Sequence, residues 1–431
     1  MLSEPIVFPF SLDNFQNFFR ESFQASYLYK YLSKLNARVL INEAEYIDRD
    51  YIIDYQKFYS RSFDRIDKFT RRIHFFSSEF TDKDLEQWLS DGRAEEMKNS
   101  YLGFVVVKPI QDPKGNPLIG RTLLQPFPIT VDEKRKRFYI SSEYDVSLFG
   151  LSLKIKCVPF QVQDRGVSAC ATVALWTAFQ SLPRDFGHYP LSPAEITETA
   201  TMFPSIFRMF PQEGLTLEQM INCIKSVGLD VETVIAADSD VVTTAVKAYT
   251  YAGVPLIGTL RLKKGRDEKD YHAVVIVGYQ HDVNGNVTEL YVHDDQIGPY
   301  SRVTSRDGDF RFWENEWKDR GYEEIELKEL LIPVYHKIRL PFWRMYLHYI
   351  YKKNKAEEDV NIDLYLTTVQ KYKNFLLKRK IKNKVEILKK NFPRFLWIER
   401  IFKKNKDEPI QDDVFDGTAV DWKKIATIEY I

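Results

Sequence analysis

The sequence predicts an α+β protein, with a cysteine-bearing helix packed on an antiparallel sheet in its central part and helical segments at both ends. Three observations support this expectation. The small, apolar run that starts at Cys170 has the pattern of a buried helix. Two apolar runs on either side of Asn284–Gly285 have the pattern of a β-hairpin. Beyond residue 340, apolar residues recur at three- and four-residue spacing, as in an amphipathic helix.

The composition is that of a globular protein with a large core. The chain has 431 residues, of which 44% are hydrophobic and 28% are charged, and its formal net charge is zero. A neutral chain offers no general electrostatic attraction for nucleic acid or for a membrane. Its three cysteines form no CxxC pair, which argues against a structural zinc site, and their odd number argues against a disulfide framework.

The sequence shows no pattern of a targeting segment. The N-terminus has no basic region ahead of an apolar core, so we expect no signal peptide. No apolar run approaches the ~18 residues that a bilayer crossing requires. We therefore expect a cytoplasmic protein with reduced thiols and without a transmembrane segment.

Changes of residue pattern along the chain predict four regions. They are a mainly helical N-terminal region (1–100), a strand-rich segment (101–160), a central domain (161–310) and a helical, basic C-terminal region (311–431). In the strand-rich segment, short apolar or alternating runs are separated by turn signals such as DPKGNP.

Capping residues predict two helices after the cysteine helix. Ser192 is followed directly by Pro193 and, three residues on, by Glu195, which is the pattern of a capping box with proline at the first helical position. Thr216 and Gln219 repeat the same spacing.

A basic amphipathic helix is predicted near the C-terminus. Between Tyr351 and Glu408, 17 lysines and arginines stand against 8 acidic residues, and the apolar residues of 366–392 follow helical spacing. The basic residues of Lys371–Lys390 could contact nucleic acid, an anionic lipid or an acidic protein. The alternative is a helix that packs on the core and exposes its lysines to solvent.

Cys170 is the candidate nucleophile. A thiol at a helix N-terminus faces unpaired N–H groups and the positive end of the helix dipole, both of which favour the thiolate. The alternative is a cysteine that merely fills the core. Cys157 lies in an alternating strand pattern and Cys223 lies inside an apolar helix pattern, so we expect Cys170 to be the reactive thiol.

A nucleophilic thiol needs a base and a third group that orients the base. His272 is the candidate base because it follows a charged loop and opens an apolar strand. If Asn284–Gly285 forms the turn, the following strand brings Asp294 and Asp295 to the neighbourhood of this histidine. A two-residue loop would place Asp295 on the His272 face of the hairpin, whereas a three-residue loop would place Asp294 there.

A donor for the oxyanion completes the candidate site. Gln163 lies seven residues before Cys170, and Gln161 lies nine before it. A side-chain amide beside the backbone N–H of Cys170 would supply the pair of donors that acyl chemistry requires.

With these residues in the order Cys, His, Asp, the chain resembles the papain-like cysteine peptidases, in particular the bacterial branch of the double-glycine leader peptidases. The resemblance covers roughly residues 155–300 and rests on Gln163, Cys170, the run Gly253–Ile257 and the run His272–Tyr279 with the strand that ends at Asp294. It implies a papain-like central domain with the cysteine helix in one half, an antiparallel sheet in the other and the site between the halves. Relatives place the glutamine nearer to the cysteine and have Asp-Pro at the end of that strand.

The resemblance implies thiol-dependent hydrolysis of a peptide or isopeptide bond, with a peptide or protein as substrate. Cys170 would attack the carbonyl, His272 would act as base, one of the two aspartates would orient it, and Gln163 would bind the oxyanion. The resemblance implies no metal and no organic cofactor. Two alternatives stay open: an acyltransferase of the transglutaminase kind that uses the same triad, and a catalytically silent papain-like binding protein.

Overall fold

The computed structural model describes residues 6–63, 65–92, 95–132, 135–164, 169–186, 189–202, 214–265, 268–356, 359–404 and 408–431. Within these ranges, none of the helices combines the length and the apolarity that a bilayer crossing requires. The run Arg165–Ser168, which leads to the predicted nucleophile, lies outside the described residues.

Contacts between residues divide the chain into two compact units. Unit 1 comprises Met1–Phe127, Ser141–Cys223 and His293–Ser301, and unit 2 comprises Pro128–Ile140, Ile224–Val292 and Arg302–Ile431.

The described residues form helices along the whole chain. In chain order they are α1 (Leu12–Phe19), α2 (Phe23–Lys34), α3 (Arg49–Lys57), α4 (Asp82–Asp91), α5 (Glu95–Ser100), α6 (Cys170–Phe186), α7 (Pro193–Thr201), α8 (Leu217–Ser226), α9 (Ser239–Ala252), α10 (Phe342–Lys355), α11 (Val369–Leu377) and α12 (Lys384–Lys389).

Strands outnumber these helices among the described residues. They are β1 (Val7–Pro9), β2 (Val39–Tyr46), β3 (Thr70–Phe76), β4 (Tyr101–Gln111), β5 (Pro117–Leu124), β6 (Thr130–Asp132), β7 (Arg135–Tyr139), β8 (Ser142–Leu148), β9 (Leu151–Cys157), β10 (Asp230–Ile235), β11 (Leu256–Lys264), β12 (Glu268–His281), β13 (Val287–Asp294), β14 (Gly298–Arg306), β15 (Asp309–Glu314), β16 (Glu324–Val334), β17 (Val360–Thr368), β18 (Phe395–Lys403), β19 (Pro409–Asp416) and β20 (Lys424–Glu429).

Unit 1 contains a five-stranded antiparallel sheet whose strands follow chain order from β1 to β5. The first eight residues of β4 are buried, because this strand has a neighbour on each side and carries core residues on its faces. Gly103 of β4 has φ of 117°, and a Cβ there would lie 1.9 Å from the carbonyl oxygen of Leu123 in β5. Only glycine permits this close pairing of the two strands.

Local capping signals of the sequence are confirmed in unit 1. Ser192 caps α7, and Glu195 returns a side-chain bond to the Ser192 N–H, as in a capping box. At the start of α8 the side chains of Thr216 and Gln219 likewise accept each other's backbone N–H groups.

The predicted helix at Cys170 and the predicted strands on either side of Asn284–Gly285 are also present.

Most of a closed six-stranded antiparallel barrel lies in unit 2. Its strands follow the order β11 to β16, and β16 pairs back with β11, so that the ring closes. Closure joins residues that are far apart in the sequence, as in the pairing of Thr259 with Glu329. Strand β10 pairs with β16, and β7 pairs with β12.

The predicted fold class is wrong. The structure is mostly β, with 40% strand and 32% helix, and it has a closed barrel and several antiparallel sheets instead of a papain-like α+β domain in which a helix packs on a sheet. The physical reason is that β16 pairs with β11 and thereby closes the barrel. Each strand has a local pattern, but the pairing that closes the ring depends on long-range contacts that no local pattern contains.

The predicted helical C-terminal segment is also wrong, whereas the described residues of the N-terminal hundred form the helices α1 to α5 beside three strands. The N-terminal hundred residues contribute β1, β2 and β3 to a sheet, and the C-terminal region forms a four-stranded antiparallel sheet, β17-β18-β19-β20. The helix predicted over 366–392 is divided: its first residues end β17, and α11 and α12 are separate and short. In β17 the buried residues Ile362, Leu364 and Leu366 recur every second position, which is the period of a strand.

Candidate active site

Cys170 is the first residue of α6, a helix of 17 residues. It is also the one thiol of the three that is not fully buried, since Cys157 and Cys223 are both inaccessible to solvent. The rest of α6 packs in the core, and its residues Leu175, Trp176 and Ala178 have no exposed surface. A partly exposed thiol thus lies at the positive end of a buried helix.

Burial disfavours the thiolate form of Cys223. Its sulfur lies in α8, 4.0 Å from the carbonyl oxygen of Ile196, and burial raises the pKa of its thiol to about 12. A thiol with such a pKa holds almost no thiolate at neutral pH, and the thiolate is the nucleophilic form.

A buried ionic cluster holds α6 in place within unit 1. Trp176 donates from its indole nitrogen to Asp50 at 2.8 Å, and Arg121 donates to the same carboxylate at 2.6 Å. Asp54, also on α3, accepts the backbone N–H of Ala194 at 3.0 Å and so holds the start of α7. These contacts tie the cysteine helix to α3 and to the five-stranded sheet.

Oppositely charged neighbours offset part of the free-energy cost of burying the charged groups of this cluster. Lys108 and Asp164 are almost inaccessible, and the ammonium lies 3.6 Å from the carboxylate. Although burial lowers the pKa of Lys108, the carboxylates of Asp164 and Asp54 outweigh it, and the resulting pKa is above its usual value. Burial raises the pKa of Asp54 to about 8. The sequence did not single out any of these residues, because each is an ordinary charged residue in its own local pattern.

Gln163, the predicted oxyanion donor, is half-buried, and Gln161 is buried. Both belong to the segment that precedes α6 in unit 1. Asp164 follows directly and is held by the buried lysine of β4, so this end of the segment is anchored in the core.

His272, the predicted base, lies on β12 of unit 2, where it pairs with Leu260 of β11. Its side chain is only 4% exposed, and its ring meets the indole of Trp317 edge to face at a centroid distance of 5.0 Å. Trp317 is itself buried and is covered by the guanidinium of Arg320 at 5.0 Å. No local pattern in the sequence indicates this tryptophan, which lies 45 positions further along the chain.

The loop between β12 and β13 settles which register the hairpin has. The N–H of Asp282 donates to the carbonyl of Asn286 at 3.0 Å, and the side chains of Gln280 and Thr288 bond across the two strands. Residues 283–285 therefore form a three-residue loop, which is one of the two alternatives that the sequence left open. With this register, even-numbered positions of both strands share one face, so that Asp294 has the parity of His272.

Asp294 and Asp295 are both buried, with 1% and 3% of their surface exposed. Neither aspartate is therefore a solvated turn residue. Asp294 accepts the backbone N–H of Gln296 through its side chain and that of Ile297 through its carbonyl, both at 3.0 Å. A carboxylate oxygen of Asp294 lies within 4.8 Å of a carboxylate oxygen of Asp295.

Comparison with known proteins gives no relative for this site. No protein-family model matches the chain, and no curated protein matches it.

Proposed function

We propose that the protein hydrolyses a peptide or isopeptide bond with Cys170 as nucleophile, His272 as general base and Asp294 as the residue that orients the imidazole. The observation that carries the proposal is the position of Cys170, the one partly exposed thiol, at the first residue of a buried 17-residue helix. The N–H groups at a helix N-terminus favour a negative charge, and the thiolate is the nucleophilic form of cysteine.

The proposed reaction begins when the imidazole of His272 takes the proton of the Cys170 thiol. The thiolate adds to the carbonyl carbon, and the backbone N–H of Cys170 with the amide of Gln163 stabilises the oxyanion. His272 then gives its proton to the leaving amine, and the amine departs from an acyl-enzyme. Water, deprotonated by His272, attacks the thioester and releases the acid and the free thiol.

The environment of His272 supports its role as a base. The ring is buried on a barrel strand and lies against Trp317, which limits the access of water to the imidazole. Low local polarity strengthens a hydrogen bond between an imidazole and an orienting carboxylate. The three-residue loop favours Asp294 over Asp295 for the orienting role, because Asp294 shares the parity of His272.

Selective alkylation tests the nucleophile. With limiting iodoacetamide at about pH 6, we expect Cys170 to be modified first, because it is the one partly exposed thiol and it begins a helix. Peptide mapping by mass spectrometry measures the modification of each cysteine. We expect His272→Ala to slow modification of Cys170 and to leave Cys157 and Cys223 unreactive. Equal modification of all three thiols, or indifference to His272→Ala in a folded protein, would contradict the proposal.

A peptide library tests the reaction itself. The full chain should cleave a subset of peptides, and Cys170→Ala should abolish cleavage without changing the circular dichroism spectrum. Incubation with an added primary amine separates hydrolysis from acyl transfer, because a transferase would place the amine in the product. If the protein neither cleaves peptides nor transfers the acyl group, but wild type and Cys170→Ala bind peptides equally well, the protein is a binding protein.

A further inference from the structure

A cavity within unit 2 has the chemistry of a ligand site and is lined by none of the residues proposed for catalysis. Its volume is about 380 Å³, and it is lined by side chains of β7, β12, α9, β17 and β18 and by the end of α11. Small-molecule sites occupy roughly 300–1,000 Å³ and combine aromatic walls with a few polar groups. The cavity therefore has the size of a site for a small molecule.

One wall of the cavity is a set of stacked rings. Phe138 of β7 lies parallel to Tyr279 of β12, with centroids 5.2 Å apart and planes 13° apart, and it also stacks on His281 at 5.1 Å. Phe138 nevertheless has 37% of its surface exposed. An exposed phenyl ring that is held by two stacked neighbours is a rigid platform for another flat ring.

The opposite side combines a ring with guanidinium groups. Phe375 of α11 lies under Arg400 at 4.0 Å and under Arg379 at 5.1 Å. Arg400 is buried and holds Asp412 with two hydrogen bonds of 2.8 and 2.9 Å, so its charge is already balanced. Arg379 is exposed, and among the described residues no carboxylate pairs with it.

The charge of the lining favours an anion. Among the described residues that line it, the only acidic one is Asp363, which forms an ion pair with Lys247. Lys136 and Arg379 add positive charge at the same cavity. A ligand that fits must therefore present a flat aromatic face to Phe138 and a negative group to Arg379.

We propose that this cavity binds a mononucleotide, with the base stacked on Phe138 and the phosphate held by Arg379. Aromatic side chains bind every nucleobase through its flat face, and a guanidinium binds phosphate oxygens through two parallel hydrogen bonds. A single nucleotide fits the observations better than a nucleic-acid strand. A strand needs a continuous basic track, whereas the chain is neutral overall and the cavity is of small-molecule size.

Isothermal titration calorimetry with the full chain tests the proposal. Adenosine 5′-monophosphate should bind saturably with one site per chain, and adenosine alone and inorganic phosphate alone should each bind at least about tenfold more weakly, because each supplies one of the two contacts. The proposal is independent of the cysteine chemistry, so Cys170→Ala should leave the affinity unchanged.

Two variants and a matched control locate the site. Arg379→Gln should weaken binding of the nucleotide about tenfold or more. Phe138→Leu keeps the apolar volume but removes the aromatic face, and it should weaken binding at least about fivefold. Lys380→Gln removes the same charge from the adjacent position, which does not line the cavity, and it should leave the affinity unchanged.

Three results would overturn the proposal. The first is the absence of saturable nucleotide binding. The second is equal weakening by Lys380→Gln and Arg379→Gln, which would indicate general attraction to a basic surface. The third is a single-stranded oligonucleotide that binds at least about tenfold more tightly than the nucleotide and displaces it, which would assign the surface to nucleic acid. Circular dichroism of each variant establishes that it is folded.

Discussion

The buried carboxyl of Asp54 should make the stability of the protein depend on pH. Asp54 has no exposed surface, and one of its oxygens has no hydrogen-bond partner among the described residues. Burial raises its pKa from 3.8 to about 8, even though Lys108 opposes the change. The folded state therefore retains a proton on this carboxyl at pH values where the unfolded chain has released it.

The sign and size follow from proton linkage. Because the folded state binds the extra proton, the stabilisation is complete below about pH 3.8 and is lost as the pH rises to about 8. Each pH unit in this interval lowers the free energy of unfolding by about 1.4 kcal/mol. Between pH 5 and pH 7 the loss that Asp54 causes is about 2.7 kcal/mol.

Replacing Asp54 with Asn isolates this contribution. The amide cannot titrate, but its oxygen can still accept the N–H of Ala194 that the carboxylate binds at 3.0 Å. We expect the free energy of unfolding of wild type to fall by about 2.7 kcal/mol more than that of Asp54→Asn between pH 5 and pH 7. Asp145→Asn, at an exposed position of β8, is the matched control and should follow wild type.

Urea unfolding at pH 5, 6, 7 and 8 measures this difference. Tryptophan fluorescence and circular dichroism should give coincident transitions, which is the condition for a single free energy of unfolding. Parallel pH profiles of wild type and Asp54→Asn, within about 0.5 kcal/mol, would refute the reasoning that burial keeps this carboxyl protonated.

The remaining predictions concern single side chains. Asp294→Asn should lower turnover of a cleaved peptide by orders of magnitude and Asp295→Asn should lower it much less, as measured by steady-state kinetics; the reverse ranking would move the orienting role to Asp295. Arg400→Met should cost about 3–5 kcal/mol in urea unfolding because it leaves a buried carboxylate unbalanced, and adding Asp412→Leu should restore part of the loss. Ser192→Ala should cost about 1 kcal/mol by removing the cap of α7, and Ser192→Thr should cost less.

Much of the local structure could be predicted from the sequence, because it depends on neighbouring residues. Ser192 and Glu195 lie three residues apart, so the capping box of α7 forms within one helical turn. The Asn284–Gly285 turn and the start of α6 at Cys170 are local in the same sense. The hairpin register was the limit of this reasoning, since loops of two and three residues have similar sequence patterns.

The sequence predicted only those residues of the candidate site that lie at the start of a recognisable helix or strand pattern. The sequence identified Cys170 by its position before an apolar helix and His272 by its position at an apolar strand. It could not identify Trp317, because this residue lies 45 positions after His272 and contacts the histidine ring only in the folded chain. Nor could it show that Asp295 is buried, since exposure depends on what packs against a turn.

The sequence by itself determined which segments form helices and turns where caps, alternation and glycine fix the backbone within a few residues. It determined in the same way that one of three thiols opens a helix. Only the tertiary structure decided the fold class, because pairing β16 with β11 to close a ring, and adding β17 to β20 as a separate sheet, requires contacts between distant segments. It also decided the charge state of the core around Asp54 and Lys108. The physical reason is that the pKa of a buried group depends on desolvation and on charges brought together from α3, β4 and the segment before α6.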